Sequence, residues 1–511
     1  MLSRVQSVAV LGLNCAVVEV ETDLAAGFPS FTIVGLPDTA VQEAKERMRS
    51  AIKNSGLDFP STRHIVINLA PADLPKEGPS YDLPMATAIL LGQMDIAFDS
   101  RDSFFVGELA LDGSLRRTNG ILPMAIYARE KKIKTLYLPE INAPEASLIE
   151  DVEIIPVKNL RQLLAHLTGE EKIPPLPKLK FHDFLDNAPE QLEFDMANIC
   201  GQEFVKRAME IAASGSHNIL MSGPPGSGKT LLARTLPTIL PKMTMEESLE
   251  VTKLYSIAGQ LPPEKPLIVT RPFRAPHHTA SGVALVGGGK VPRPGEISLA
   301  HRGVLFMDEL PEFPRHVLEN LRQPLEDGII TVSRAQGSLT FPARFMMVAS
   351  QNPCPCGYAS DTEKTCTCSP LQISKYQKKI SGPLLDRIDL HIEVPRVKMQ
   401  KLISTTDEEK TETSAQIRAR VEAARERQRE RFKHLGLCTN AEMGAKDIKE
   451  FCKVDEKTTD LLRTAVSQLH LSARSYHRIL KLSRTIADLA DAPDISMHHV
   501  AEALQFRARV D

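Results

Sequence analysis

The 511-residue sequence has almost no excess of charge, with 62 lysines and arginines against 64 aspartates and glutamates and a formal net charge of −2. That balance excludes a global basic field as the means of attracting nucleic acid, so any such surface must be a local patch or one repeated around several subunits. A run of about 18 apolar residues is also missing, and with it the signature of a membrane-spanning helix. The opening Met1-Leu-Ser-Arg-Val carries no signal-peptide pattern, and a cytoplasmic location is the expectation. Cysteine is sparse, yet four of the eight crowd between Cys354 and Cys368. In a reducing compartment that clustering suggests metal before disulfides. The length exceeds one ordinary core and predicts about three domains.

What the sequence does contain is centred on Gly223-Pro224-Pro225-Gly226-Ser227-Gly228-Lys229-Thr230, which has the spacing of a phosphate-binding P-loop. Asn218 to Met221 predicts a short buried strand ahead of it. Leu231 to Leu240 predicts a helix behind it, whose N-terminus faces the phosphates. Gly226 and Gly228 let backbone N–H groups approach an anion, Lys229 supplies a point charge, and the Thr230 hydroxyl can reach Mg2+. A chance glycine-rich turn is the alternative, but it would not require the flanking strand and helix. ATP and Mg2+ are therefore the expected ligands. Further on, Val304-Leu-Phe-Met307 predicts a buried strand that ends in Asp308 and Glu309. Asp308 is placed to hold Mg2+ and Glu309 to polarise the attacking water, as phosphoryl transfer requires, because its catalysis is mostly positioning and charge neutralisation.

Residues 1–170 alternate short apolar runs with helical patterns and predict an α/β domain. Within it, Pro75-Lys-Glu-Gly-Pro-Ser80-Tyr-Asp-Leu-Pro84 and Gly107-Glu-Leu-Ala-Leu-Asp-Gly113 resemble the proteolytic domain of Lon proteases, a fold similar to ribosomal S5 domain 2. Ser80 falls on the family's serine, whereas Leu122 stands where the activating lysine is needed. The resemblance therefore implies a non-catalytic Lon-like domain used for assembly or partner contact. Residues 171–195, rich in proline and charge, read as a linker. Residues 196–398 read as the ATPase core, and 399–511 as a helical lid with amphipathic stretches at Thr413–Phe432, Glu456–Leu469 and Ala473–Leu489.

Several segments of the core resemble AAA+ ATPases, beginning with the entry Asp195-Met-Ala-Asn-Ile-Cys-Gly201-Gln202-Glu203. A strand ending Ser350-Gln351-Asn352 is similar to sensor 1, which implies that Asn352 orients the attacking water. Ser381-Gly-Pro-Leu-Leu-Asp-Arg387 is similar to the arginine-finger segment, so Arg387 would reach the γ-phosphate of a neighbouring subunit. A salt bridge to Asp386 or Asp389 is the alternative. Ser472-Ala-Arg474-Ser-Tyr-His-Arg478 is similar to sensor 2, with Arg474 and then Arg478 as the phosphate contacts. Two β-rich runs between Leu325 and Phe341 predict a hairpin, and Arg334 occupies a position similar to the pore-hairpin cation of minichromosome maintenance helicases. Lys290 and Arg293, in the long segment between the two phosphate-site motifs, are weaker DNA-contact candidates. His277-His278 lies in the same segment and reads as hydrogen-bonding structure before metal ligation. Cys354-Pro-Cys356 and Cys366-Thr-Cys368 offer four thiols that match structural Zn2+, with free thiols or a redox pair as alternatives.

On these motifs nearly the whole chain resembles the ComM/YifB family of magnesium-chelatase-like AAA+ proteins. The resemblance implies a hexameric ATP-driven DNA motor, a helicase or branch-migration factor in DNA recombination and natural transformation. Its partners would be single-stranded or branched DNA and further copies of itself, with no membrane. The alternative is the ATPase subunit of a magnesium-chelatase-like complex.

Overall fold

The computed structural model describes residues 1–96, 98–186, 193–289, 292–334, 337–361, 363–397, 411–468 and 472–507. Two compact units emerge, Met1–Ala188 with Met245–Val269, and Pro189–Thr244 with Thr270–Asp511. Lys290 lies outside the described residues.

In the first unit a seven-stranded mixed sheet runs, edge to edge, Ser30–Val34, His64–Ala70, Asn14–Ala25, Leu2–Leu11, Ser103–Phe105, Thr135–Pro139 and Glu153–Val157. Leu2–Leu11 and Asn14–Ala25 form an antiparallel hairpin in the middle, while the last three strands run parallel to Leu2–Leu11. The helix Thr39–Asn54 starts where Asp38 accepts the Val41 N–H, and its Val41, Ala44, Met48 and Ile52 fall on one buried face. Helix Asp82–Met94 is buried on nearly every side, which is why its sequence shows little amphipathic period. Buried Asp82 receives two hydrogen bonds from Arg47, at 2.8 and 3.0 Å. Ser80 lies in the turn just ahead of this helix, and Leu122 is fully buried in helix Ile121–Glu130.

The segment Met245–Val269 follows the helix Lys229–Thr235 and its 3-10 extension in sequence but packs with this first unit. Its helix Met245–Ala258 is held there at Ser256, whose hydroxyl donates to Glu145 at 2.5 Å and whose carbonyl accepts the Gly120 N–H. Glu145 also takes the Leu122 N–H at 2.9 Å, so a carboxylate removed from water is satisfied by several donors.

The second unit is built on a five-stranded sheet ordered Phe273–Arg274, Val304–Met307, Met346–Gln351, Ile219–Ser222 and Leu390–Glu393. Every pair in it is parallel. Its strands read as apolar runs because such sheets are covered on both faces; all four residues of Val304–Met307 are buried. The first strand in sequence sits between the fourth and fifth, and the chain reverses direction across the sheet at that point. Open α/β sheets bind their ligands outside the carboxyl ends of strands at such a switch. Helices Ser414–Phe432, Glu456–Gln468, Ala473–Leu489 and Met497–Gln505 form the C-terminal region, and Ile417, Val421, Ile479 and Ile486 join the sheet's core. The first of these helices begins with a capping box between Thr413 and Gln416.

Two local expectations are refined. The helix predicted over Leu231–Leu240 is α-helical only from Lys229 to Thr235 and continues as a 3-10 turn, Leu236–Ile239, since Pro237 has no N–H to give the preceding turn. Leu325–Asp327 belongs to the helix Arg322–Asp327, which ends at Gly328 with φ +65°; the predicted hairpin is Ile329–Arg334 paired with Gly337–Pro342.

Candidate functional site

Gly223 follows the strand Ile219–Ser222, and a side chain there would collide with the Val394 carbonyl. Gly228 has φ +89°, a conformation that glycine adopts without penalty, and the next residue opens the helix Lys229–Thr235. The turn between them exposes backbone N–H groups at a helix N-terminus, an anion-binding arrangement. Lys229 Nζ reaches back to the carbonyls of Gly223 at 2.7 Å and Pro224 at 2.9 Å. Burial pushes its ammonium below the usual lysine range, opposed by the charges of Asp308 and Glu309.

The neighbouring strands deliver the remaining groups to the same edge. Asp308 and Glu309 follow Val304–Met307, and Asn352 follows Met346–Gln351. Thr230 Oγ1 donates to Asp308 Oδ2 at 3.1 Å, and Lys229 Nζ lies 3.4 Å from Asn352 Oδ1. Ser350, 1% exposed, donates its hydroxyl to Asp308 Oδ1 and accepts the Glu309 N–H at 3.1 Å. Glu309 adopts φ +52°, a left-handed conformation uncommon for glutamate, and its side chain stands half exposed. A phosphate chain on the turn would find an ammonium, a hydroxyl, two carboxylates and an amide at one strand edge. Hard oxygen donors such as Thr230 and Asp308 suit Mg2+, which is usually bound by one or two protein oxygens plus phosphate.

The arginines gather elsewhere in this unit. Arg387 is 6% exposed and donates to Pro383 O at 2.6 Å and to Glu326. Arg474, well exposed, donates to the other Glu326 oxygen at 3.2 Å. Arg478 binds buried Asp389 at 2.5 Å. Burial alone would raise the Asp389 carboxyl, but Arg478, His217 and the Asn218 N–H hold it well below the usual carboxylate range.

Cys354, Cys356, Cys366 and Cys368 bring their Sγ atoms within 4.8 Å of one another. Three of the separations are 3.3, 3.6 and 3.7 Å. Tetrahedral zinc with Zn–S bonds near 2.3 Å sets sulfurs about 3.8 Å apart, so both donor set and spacing fit Zn2+. The backbone N–H groups of Tyr358 and Thr367 favour the thiolate of Cys356 and pull its thiol down to about 5.

The family profile described as "Magnesium chelatase, subunit ChlI" matches residues 195–402, and those for "Subunit ChlI of Mg-chelatase" and "Magnesium chelatase, subunit ChlI C-terminal" match 20–142 and 411–507. The chain is 46% identical to the "Competence protein ComM" of Haemophilus influenzae, across 100% of this chain and 98% of that protein. It is 42% identical to the protein YifB of Escherichia coli, across 99% of this chain and 97% of that protein. The chain belongs to the ComM/YifB family. Similarity to the "Magnesium-chelatase 38 kDa subunit" of Cereibacter sphaeroides is narrower, 30% identity over 31% of this chain and 53% of that protein.

In this ComM/YifB member the structure brings together Lys229, Thr230, Asp308, Glu309 and Asn352, and separately Arg387 with Arg474. Arg334 ends its hairpin strand, and exposed Arg293 lies in a short two-stranded pairing with Gly288. Two neighbours of Asp308 and Glu309 carry no strong sequence signal. Ser350 is one; its only hint is its place at the end of an apolar run. His278 is the other, with Nδ1 3.8 Å from Glu309 Oε2 and its ring 4.1 Å from that of His277.

Proposed function

We propose that the chain is an ATP-driven DNA motor, a helicase or branch-migration factor that works as a homo-oligomeric ring. The observation that carries the ATPase part is the convergence of Lys229, Thr230, Asp308, Glu309 and Asn352 at the switch point of a parallel sheet. In this reading the turn Gly223–Thr230 cradles the phosphates, and Thr230 and Asp308 would hold a Mg2+ that would supply charge neutralisation there. Glu309 takes a proton from the attacking water, and Asn352 orients that water. Arg387 serves the site of the adjacent subunit, and Arg474 or Arg478 serves its own.

The DNA part rests on full-length similarity to a competence protein and on the family resemblance of the hairpin bearing Arg334. One cation per subunit, repeated around a ring, would grip phosphates without reading sequence, aided by Arg293 and Lys290. The four cysteines hold structural Zn2+, because a tetrathiolate site leaves no open position for chemistry. The first unit takes a Lon-like fold without peptidase activity. Leu122, at the aligned base position, is fully buried, and Lys76, the lysine nearest Ser80 in sequence, gives its ammonium to the Pro71 carbonyl.

A second reading is the ATPase subunit of a magnesium-chelatase-like complex, favoured by the matching family profiles. Measuring ATP hydrolysis by the full chain with no DNA, with single-stranded DNA and with branched DNA separates the two. Stimulation by DNA supports the motor. Hydrolysis indifferent to every DNA favours the chelatase-like role.

A further inference from the structure

A single carboxylate ties up two of the arginines that phosphate would need. Glu326, near the end of helix Arg322–Asp327, accepts from Arg387 with one oxygen and from Arg474 with the other, although 61 and 148 residues separate it from these partners. Arg478, one turn beyond Arg474 in the same helix, adds to the local field. The hydrogen bond from Arg387 and then the charges of all three arginines hold the Glu326 carboxyl below its ordinary range. Arg387 is a buried cation; beyond Glu326 and the Pro383 carbonyl its guanidinium has no hydrogen-bond partner among the described residues, and its Nε is buried without one. At 6% exposed and held by these two acceptors, it offers little of its guanidinium to an incoming anion.

Guanidinium groups bind carboxylates and phosphates with the same fork of parallel N–H donors, and a phosphate brings more charge than a carboxylate. Glu326 is half exposed, so the exchange of one anion for the other is open to an incoming group on that side. We propose that Glu326 is an intramolecular stand-in for phosphate, which sequesters Arg387 and Arg474 in the resting chain and restrains ATP hydrolysis until the γ-phosphate at a second copy's site displaces it. The inference rests on the ATPase reading with Arg387 acting across subunits. An ordinary structural ion pair makes the opposite prediction, because breaking it leaves a misplaced arginine and slower turnover.

The test compares the steady-state Mg2+-ATP turnover of the full-length protein, without DNA, in wild type, Glu326→Gln, Arg387→Ala and the double variant. Glu326→Gln keeps the side-chain shape and removes the charge; kcat is expected to rise about three- to tenfold. The double variant is expected to fall to the low turnover of Arg387→Ala, which shows that the gain passes through Arg387. Unchanged or reduced turnover in Glu326→Gln, with turnover lost in Arg387→Ala, overturns the restraint and leaves the ATPase reading standing. A gain that survives in the double variant overturns it too. Wild-type turnover in Arg387→Ala removes both the trans-acting role and the restraint. If Glu326→Gln unfolds, as thermal melting would reveal, Glu326→Asp is the second variant. It retracts the carboxylate by one methylene, so a smaller gain supports the restraint and a loss overturns it.

Discussion

Thr230 Oγ1 donates to Asp308 Oδ2 at 3.1 Å, joining the end of the glycine-rich turn to the carboxylate that follows the apolar strand Val304–Met307, 78 residues later. Through this contact and the approach of Lys229 to Asn352, three parallel strands contribute to one site.

The residues on that edge are predicted to fail in different ways. Lys229→Ala removes a charged phosphate contact and is expected to weaken ATP binding about 10- to 100-fold, measured by titration with a fluorescent nucleotide. Glu309→Gln is expected to keep that affinity while turnover falls at least about 100-fold. Normal turnover in Glu309→Gln would remove the glutamate from the chemistry.

Ser350 ties the Asp308 carboxylate to the Glu309 backbone, so Ser350→Ala is expected to lower kcat about 10- to 100-fold with a small change in nucleotide affinity. A pure rise in KM would instead make Ser350 part of the binding surface.

The legible part of this site was local. A glycine-rich turn ending in Lys229-Thr230, and an apolar run closing in Asp308-Glu309, carry their chemistry within a few residues. Long-range partners were not legible. Proximity in sequence suggested Asp386 or Asp389 for Arg387, but the fold gives it Glu326 and commits Asp389 to Arg478 and the Asn218 N–H. Nothing in the sequence of Met245–Ala258 says which core receives it; here its Ser256 donates a hydrogen bond to Glu145 in the first unit. The single helix expected over Leu231–Leu240 overlooked Pro237, whose missing N–H is visible in the sequence itself.

Asp389 yields a pH prediction. Its folded-state pKa lies below the unfolded value of about 3.9, so its contribution is complete above that pH and is lost as pH falls toward the folded value. Asp389→Asn is expected to cost about 3–5 kcal/mol at pH 7, because it leaves the buried end of Arg478 uncompensated, and to flatten the loss of stability in acid. Denaturant unfolding at pH 7 and below pH 4 checks both; an equal cost at the two pH values would contradict the linkage.

Purified protein is expected to carry one zinc ion per chain, and Cys366→Ser to lose it and to melt several degrees lower. Gly357, inside the cysteine loop, lies so close to the turn Gly223–Thr230 that a Cβ there would stand 2.6 Å from Pro225, so loosening the loop should also disturb nucleotide binding. Elemental analysis without zinc would refute the assignment.

In the proposed motor, ATP hydrolysis with Glu309 as the base moves DNA strands. The most direct test follows a labelled strand through a three-strand branch-migration substrate, with wild type, Glu309→Gln and Arg334→Ala, in ATP and in a non-hydrolysable analogue. Strand movement is expected from wild type in ATP alone, and none from either variant. Movement by Glu309→Gln at the wild-type rate, or no movement by wild type while it hydrolyses ATP, would contradict it.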